Sequence, residues 1–154
     1  EKRGIDPSRI IFAGFVETES IHLGRQQLAD IFVDTFNFNA HTTASEALWC
    51  GIPVISMIGK TFCARVSSSL LNAVGLSDLI TQSTEDYEAL ICELIEDKEK
   101  LNNIKTRLNN NIETHPLFDS ERYSRDFESA MKNVYKRHQN KEQPRDICIN
   151  FNGI

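Results

Sequence analysis

The residue types and spacings in this chain that could do chemistry are concentrated between Asn39 and Gly51. The run Asn39-Ala40-His41-Thr42-Thr43 leads straight into Ala44-Ser45-Glu46-Ala47-Leu48-Trp49-Cys50-Gly51. Small polar residues give way to a helical stretch that a glycine ends. The first N–H groups of such a helix have no partner within it and carry partial positive charge. Adjacent threonines at that point add hydroxyl donors, and the chemistry on offer is binding of a phosphate. The same residues also fit a self-contained reading. Thr43-x-x-Glu46 has the spacing of a capping box, in which the cap and the third helical residue satisfy the terminus between them. On the residues alone both readings stand.

A phosphate turn needs elements to hold it. Upstream, Asp30-Ile31-Phe32-Val33-Asp34-Thr35 is a compact apolar run closed by Asp and Thr, and downstream Pro53-Val54-Ile55-Ser56-Met57-Ile58 is another. Strand, polar loop, helix, Gly, Pro, strand is the grammar of a βαβ unit, whose parallel sheet binds ligands at the carboxyl ends of its strands. The fold class expected is therefore α/β and Rossmann-like. Arg9 to Phe15, nearly all apolar, predicts an earlier strand covered on both faces. Glu17 to Ala29 follows as a helix with Ile21, Leu28 and Ala29 at helical spacing, weakened by Gly24. Composition alone places its His22 and Arg25 on a solvated face. Leu48 and Trp49 are expected in the core, pinning their helix to the sheet.

Further along, Gly59-Lys60-Thr61 makes a second polar loop, capping a helix from about Phe62 to Val74 that Gly75 ends. Lys60 either screens phosphate charge or is a solvated loop residue. Leu76 to Ile80 reads as a short strand or turn. Ser83-x-x-Asp86 opens a helix with Tyr87, Leu90, Ile91, Leu94 and Ile95 on one face. After a break at Glu96-Asp97-Lys98, Leu101, Ile104, Leu108 and Ile112 continue the pattern, with Asn109-Asn110-Asn111 fraying its end. His115, before a proline, reads as a turn residue. Tyr123, Phe127, Met131, Val134 and Tyr135 line a last helix, and 141–154 is polar and without period, a disordered tail. The domain boundary is placed at 138/139, with 1–138 the folded unit.

The whole chain narrows the function classes. At 154 residues it is one domain or part of one. Apolar residues make up 40% and charged residues 25%, the usual balance of a globular protein. A net charge of −5 and a pI near 5.4 argue against nucleic-acid and anionic-membrane partners. No apolar stretch approaches the roughly 20 residues that span a bilayer. The four cysteines, Cys50, Cys63, Cys92 and Cys148, have no framework spacing and read as reduced thiols of a cytoplasmic protein. Without Cys-x-x-Cys or His-x-x-x-His, no metal site is expected. The chain opens without an initiator Met, in what reads as the tail of a helix ending at Gly4, and is expected to be part of a larger enzyme.

His41-Thr42-Thr43, the helix through Leu48-Trp49-Cys50-Gly51-Ile52-Pro53, and Gly59-Lys60-Thr61-Phe62-Cys63-Ala64-Arg65-Val66-Ser67-Ser68-Ser69 together resemble the C-terminal catalytic region of the O-linked N-acetylglucosamine transferase family, glycosyltransferase family 41. The resemblance, closest to bacterial members that carry tetratricopeptide repeats, runs from about Gly4 to about Tyr135. It implies a Rossmann-like C-terminal half of a GT-B glycosyltransferase, incomplete at its N-terminus. It also implies transfer of N-acetylglucosamine from UDP to Ser or Thr of protein acceptors, without a cofactor or metal. By resemblance, His22 and Arg25 hold the uracil, Thr42 and Thr43 donate to the diphosphate, His41 lies beside it, and Glu46 binds ribose hydroxyls. No catalytic residue is identified in this chain; the general base is expected in an N-terminal half preceded by repeats, so the chain alone is expected not to turn over. Glu19 departs from the family, which places a Lys there near the ribose. Related transferases that use UDP-glucose or GDP-fucose, and a non-catalytic nucleotide-binding or interaction module, remain as alternatives.

Overall fold

The computed structural model describes residues 4–148. Three short strands, β1 (Phe32–Val33), β2 (Val54–Met57) and β3 (Ile80–Thr81), form a parallel sheet in the order β1-β2-β3. Phe32 pairs with Val54 and Val33 with Ile55, while Ser56 pairs with Ile80 and Met57 with Thr81. Each strand is followed by a helix, as parallel pairing requires a crossover. These are α2 (Thr42–Trp49) after β1, α3 (Val66–Ala73) after β2 and α4 (Thr84–Glu96) after β3. Ahead of the sheet lies α1 (Glu19–Gln26); behind it come α5 (Lys98–Ile112) and α6 (Ser120–Gln139). The α/β expectation holds.

The central strand explains the core. Val54, Ile55 and Ser56 of β2 are fully buried because α2, α3 and α4 all pack on that strand. Leu48, Leu71 and Leu94 reach it from the three helices, and Leu108 of α5 closes the cluster. Sequence punctuation fixes the helix ends. Ser83 Oγ accepts from Asp86 N–H at 3.0 Å to start α4, and Asp97 Oδ1 accepts from Lys100 N–H at 2.9 Å to start α5. Gly51 and Gly75 end α2 and α3 at φ +78° and +75°. In each case the next N–H bonds back over the turn, Ile52 to Ala47 and Leu76 to Leu71, which is the Schellman arrangement. A side chain at either position would be strained at this φ and crowded: a Cβ at Gly51 would lie 2.7 Å from Asn109 Oδ1, and one at Gly75 2.6 Å from His115 Nε2, so a neighbour would have to shift.

Several expectations are corrected. Residues 10–15 form no strand; Ile11, Phe12 and Phe15 are exposed, the last two at 92% and 95%. A strand is stabilised by a neighbouring ladder, and among the described residues none pairs with this segment, whatever its apolar pattern. Trp49 is 55% exposed and meets Phe118 edge-on at 5.0 Å, because the buried side of α2 is taken by Ala44, Ala47 and Leu48. The helix expected from Phe62 starts at Val66, since 61–65 is spent on a turn in which Gly59 N–H donates to Ala64 C=O at 2.7 Å. Ile95 faces solvent rather than the core. Asn109 to Asn111 do not fray: α5 runs on to Ile112, and Asn111 Nδ2 donates to Val74 C=O at 2.8 Å. The helix tail at 1–3 and the last residues of the polar tail, 149–154, lie outside the described residues.

Candidate functional site

At the carboxyl end of β1 the chain leaves the sheet at Asp34, loops through 35–40 and enters α2 at His41. A groove of about 420 Å³ follows this path, walled by Phe32, Thr35, Phe38, His41, Thr42 and Thr43 among others. The capping box expected from Thr43 and Glu46 does not form. The cap position is His41, which makes no side-chain capping bond, so Thr42 and Thr43 are the first two helical residues. The first helical bond runs from Ser45 N–H to His41 C=O at 3.1 Å. The N–H groups of Thr42, Thr43 and Ala44 ahead of it therefore have no helical acceptor. Thr42 and Thr43 are exposed beside the groove, and among the described residues their hydroxyls have no hydrogen-bond partner. The terminus is left open for an acceptor from outside.

His41 is set by aromatic packing. Its ring stacks on Phe38 at 4.8 Å and 9°, and meets the edge of Phe62 at 6.3 Å and 87°. Phe62 brings in the 59–65 loop, so the second polar loop borders the same place. His41 Nε2 and Asn39 Oδ1 are buried without a hydrogen-bond partner among the described residues, and both residues line the groove. A buried polar atom left alone costs about 1–3 kcal/mol, and both of these atoms belong to residues of the groove wall.

A second cluster joins α1 to α2. Glu46 sits one turn beyond Thr42 on the same side of α2. Its Oε2 meets His22 Nε2 at 3.1 Å, and Gln26 Nε2 at 3.4 Å. On the other side of the imidazole, Arg25 Nη2 lies 3.1 Å from His22 Nδ1. Arginine can only donate, so His22 Nδ1 accepts, while Nε2 lies between Glu46 Oε2 and Gln26 Nε2, the latter 3.2 Å away. Arg25 Nη1 also donates to Gly14 C=O at 2.6 Å. Both ring nitrogens of His22 are thus engaged within the network. Burial and, after it, the nearby Glu46 carboxylate push the Cys50 thiol above its ordinary value.

The structure thus gathers His22, Arg25 and Glu46 into one network and His41, Thr42 and Thr43 into one turn, with α2 common to both. Glu19 is the exposed first residue of α1, behind the Thr18 cap. Sequence reasoning missed Gln26 and, more importantly, Asp34, Ser56 and Ser67, which hold the turn from below. The Asp closing the β1 run was the one available signal.

A parallel α/β unit with an open helix terminus at its strand ends has the architecture of a nucleotide-binding domain. Comparison with known proteins makes this specific. The chain belongs to glycosyl transferase family 41, whose model matches residues 1–127. Over 138 residues it is 33% identical to the UDP-N-acetylglucosamine–peptide N-acetylglucosaminyltransferase of Caenorhabditis elegans, covering 90% of this chain and 12% of that protein. It is 35% identical over 153 residues to the probable UDP-N-acetylglucosamine–peptide N-acetylglucosaminyltransferase SEC of Arabidopsis thaliana, covering 99% of this chain and 16% of that one. A mutant of the Thermobaculum terrenum O-GlcNAc transferase superposes with a TM-score of 0.75 at 26% identity, over 88% of this chain and 25% of its own. The GT-B assignment follows from that likeness. The chain spans between an eighth and a quarter of the length of these relatives.

Proposed function

We propose that this chain is the donor-binding part of a protein O-GlcNAc transferase. It holds UDP-N-acetylglucosamine, and the longer polypeptide transfers the sugar to Ser or Thr hydroxyls of protein acceptors. The observation that carries this reading is the open N-terminus of α2, with Thr42 and Thr43 exposed beside the groove that His41 also lines. Family membership supports the class of donor, since relatives bear the name of UDP-N-acetylglucosamine–peptide transferases.

In the transfer, the acceptor oxygen bonds to the sugar's anomeric carbon as the bond to the diphosphate breaks, and the hydroxyl proton passes to a base. Negative charge grows on the leaving diphosphate. Fixed N–H groups and hydroxyls aimed at it lower the barrier because they need not reorient during reaction. Thr42 and Thr43 fill that role, His41 flanks the phosphates, and no metal is part of the proposal. Glu46 keeps acceptor capacity for ribose hydroxyls, since a carboxylate offers about four lone-pair sites and His22 and Gln26 both contact Oε2, leaving Oε1 open among the described residues. The engaged His22 stacks its face on the uracil, with Arg25 beside it. The base and the remaining catalytic parts belong to other regions of the polypeptide, as do the tetratricopeptide repeats; this chain alone does not turn over. A cytoplasmic setting is part of the proposal, supported by four cysteines without framework spacing. No helix among the described residues is long and apolar enough to cross a membrane.

Titration of the full polypeptide with UDP and with GDP tests the reading. UDP should bind and compete with the sugar donor while GDP does not. Binding of neither nucleotide would overturn it, and UDP binding without transfer to any peptide would leave a non-catalytic nucleotide module.

A further inference from the structure

Asp34 stands where β1 ends, only 4% exposed. Its Oδ1 accepts from Thr35 N–H at 2.8 Å and Ala40 N–H at 2.7 Å, and its Oδ2 accepts from Ser56 Oγ at 2.8 Å. Its own N–H donates to Ile55 C=O at 3.1 Å, and its C=O accepts from Tyr87 Oη at 2.6 Å. A single carboxylate oxygen thereby draws together both ends of the 35–40 loop. From the opposite side, Ser67 Oγ donates to Ala40 C=O at 2.8 Å. Asn39 N–H donates to Cys63 C=O at 2.9 Å, and its side chain donates to Thr35 C=O at 2.8 Å. The two peptide planes that flank Ala40 are therefore both pinned, one by Asp34 and one by Ser67. The next residue is the cap of α2, and rotation of either plane would swing the open N–H groups of Thr42, Thr43 and Ala44.

We propose that Asp34 is the positioning residue of this turn: acting through Ala40, it sets the direction in which the N-terminus of α2 presents its donors to the nucleotide diphosphate. The inference rests on the donor-site reading above. Asp34 acts by geometry and not by charge. All its polar groups are engaged within the fold, and a buried carboxylate under an anion site opposes the anion rather than attracting it.

Geometry and charge are separable by substitution in the full chain. Asp34→Asn keeps an acceptor oxygen for the two N–H groups and removes the charge; Asp34→Ala removes both. Leu108→Ala, a buried change in α5, controls for loss of stability. Two quantities are read: the Kd for UDP well below the melting temperature, and hydrogen exchange of amides 35–43 without ligand. Asp34→Ala should weaken UDP by about tenfold, the worth of an anchoring hydrogen bond at a charged group, and speed exchange across 35–43. Asp34→Asn should keep loop protection and bind as well as the unmodified chain or better. Leu108→Ala should melt earlier and bind normally. If Asp34→Ala fails to fold, Ser67→Ala frees the other plane of Ala40 and should also weaken UDP and loosen the loop. Unchanged UDP affinity in Asp34→Ala, unchanged loop exchange, or tighter binding in both Asp34 variants would overturn the proposal. If the unmodified chain binds no UDP, the donor reading itself falls, and the exchange arm still decides whether Asp34 holds the turn.

Discussion

Replacing Thr42 and Thr43 together by valine removes two hydroxyls while keeping the β-branched shape and every main-chain donor. The structure sets the size of the two effects. Neither hydroxyl is hydrogen-bonded within the described residues, and the cap of α2 is His41, without a side-chain capping bond. No cap is lost, so stability should change by less than about 0.5 kcal/mol. If both hydroxyls donate to the diphosphate, their loss should weaken UDP by about 1–3 kcal/mol, roughly 5- to 150-fold in Kd. Binding should not vanish, since the N–H groups of Thr42, Thr43 and Ala44 remain. Calorimetric titration with UDP at fixed ionic strength gives the first quantity, and a melt of the same sample gives the second. A folded double variant with unchanged UDP affinity would refute the diphosphate role. A stability loss near 1 kcal/mol or more would instead show that the threonines cap the helix.

The Tyr87 phenol is pushed up to about 12 by burial and by the Asp34 carboxylate, from 10.0 when unperturbed. The folded protein thus holds that proton more tightly than the unfolded chain. The associated stability is whole below pH 10 and is lost as pH rises through about 12, by about 2–3 kcal/mol. Tyr87→Phe should flatten this alkaline loss in denaturation series across that range, and an unaltered alkaline limb would count against it. Glu19→Lys should tighten UDP a few-fold, more at low salt than at high, by replacing repulsion with attraction; weakening without salt dependence would mean Glu19 accepts from the ribose. Leu48→Ala should cost about 2–5 kcal/mol, as expected for a fully buried leucine. Trp49→Ala should cost less despite the larger side chain, because over half of Trp49 is already in water; the reverse order in chemical denaturation would put Trp49 in the core.

Where α2 and α3 stop and where α4 starts was already determined by the sequence. Gly51, Gly75 and Ser83 act on dihedrals and N–H groups within a few residues of themselves, so local rules suffice. The same holds for the parallel α/β class, because apolar runs alternating with helical periods leave few other packings. Residues Thr42 and Thr43 were legible as a helix start, but their role was not. Only the fold moved the cap to His41 and released Glu46 from the capping box to meet His22, a residue 24 positions away. Only the fold exposed Trp49 and left residues 10–15 without a partner strand among the described residues. Asp34 is the clearest case. As the acid ending an apolar run it looks like any strand terminus, yet it binds donors from residues 35, 40 and 56. Two of those three partners come near only once β1 lies beside β2 and the loop has closed. Local sterics are written in neighbouring residues, whereas the partners of a buried polar group are chosen by whatever the folded chain brings within hydrogen-bonding distance.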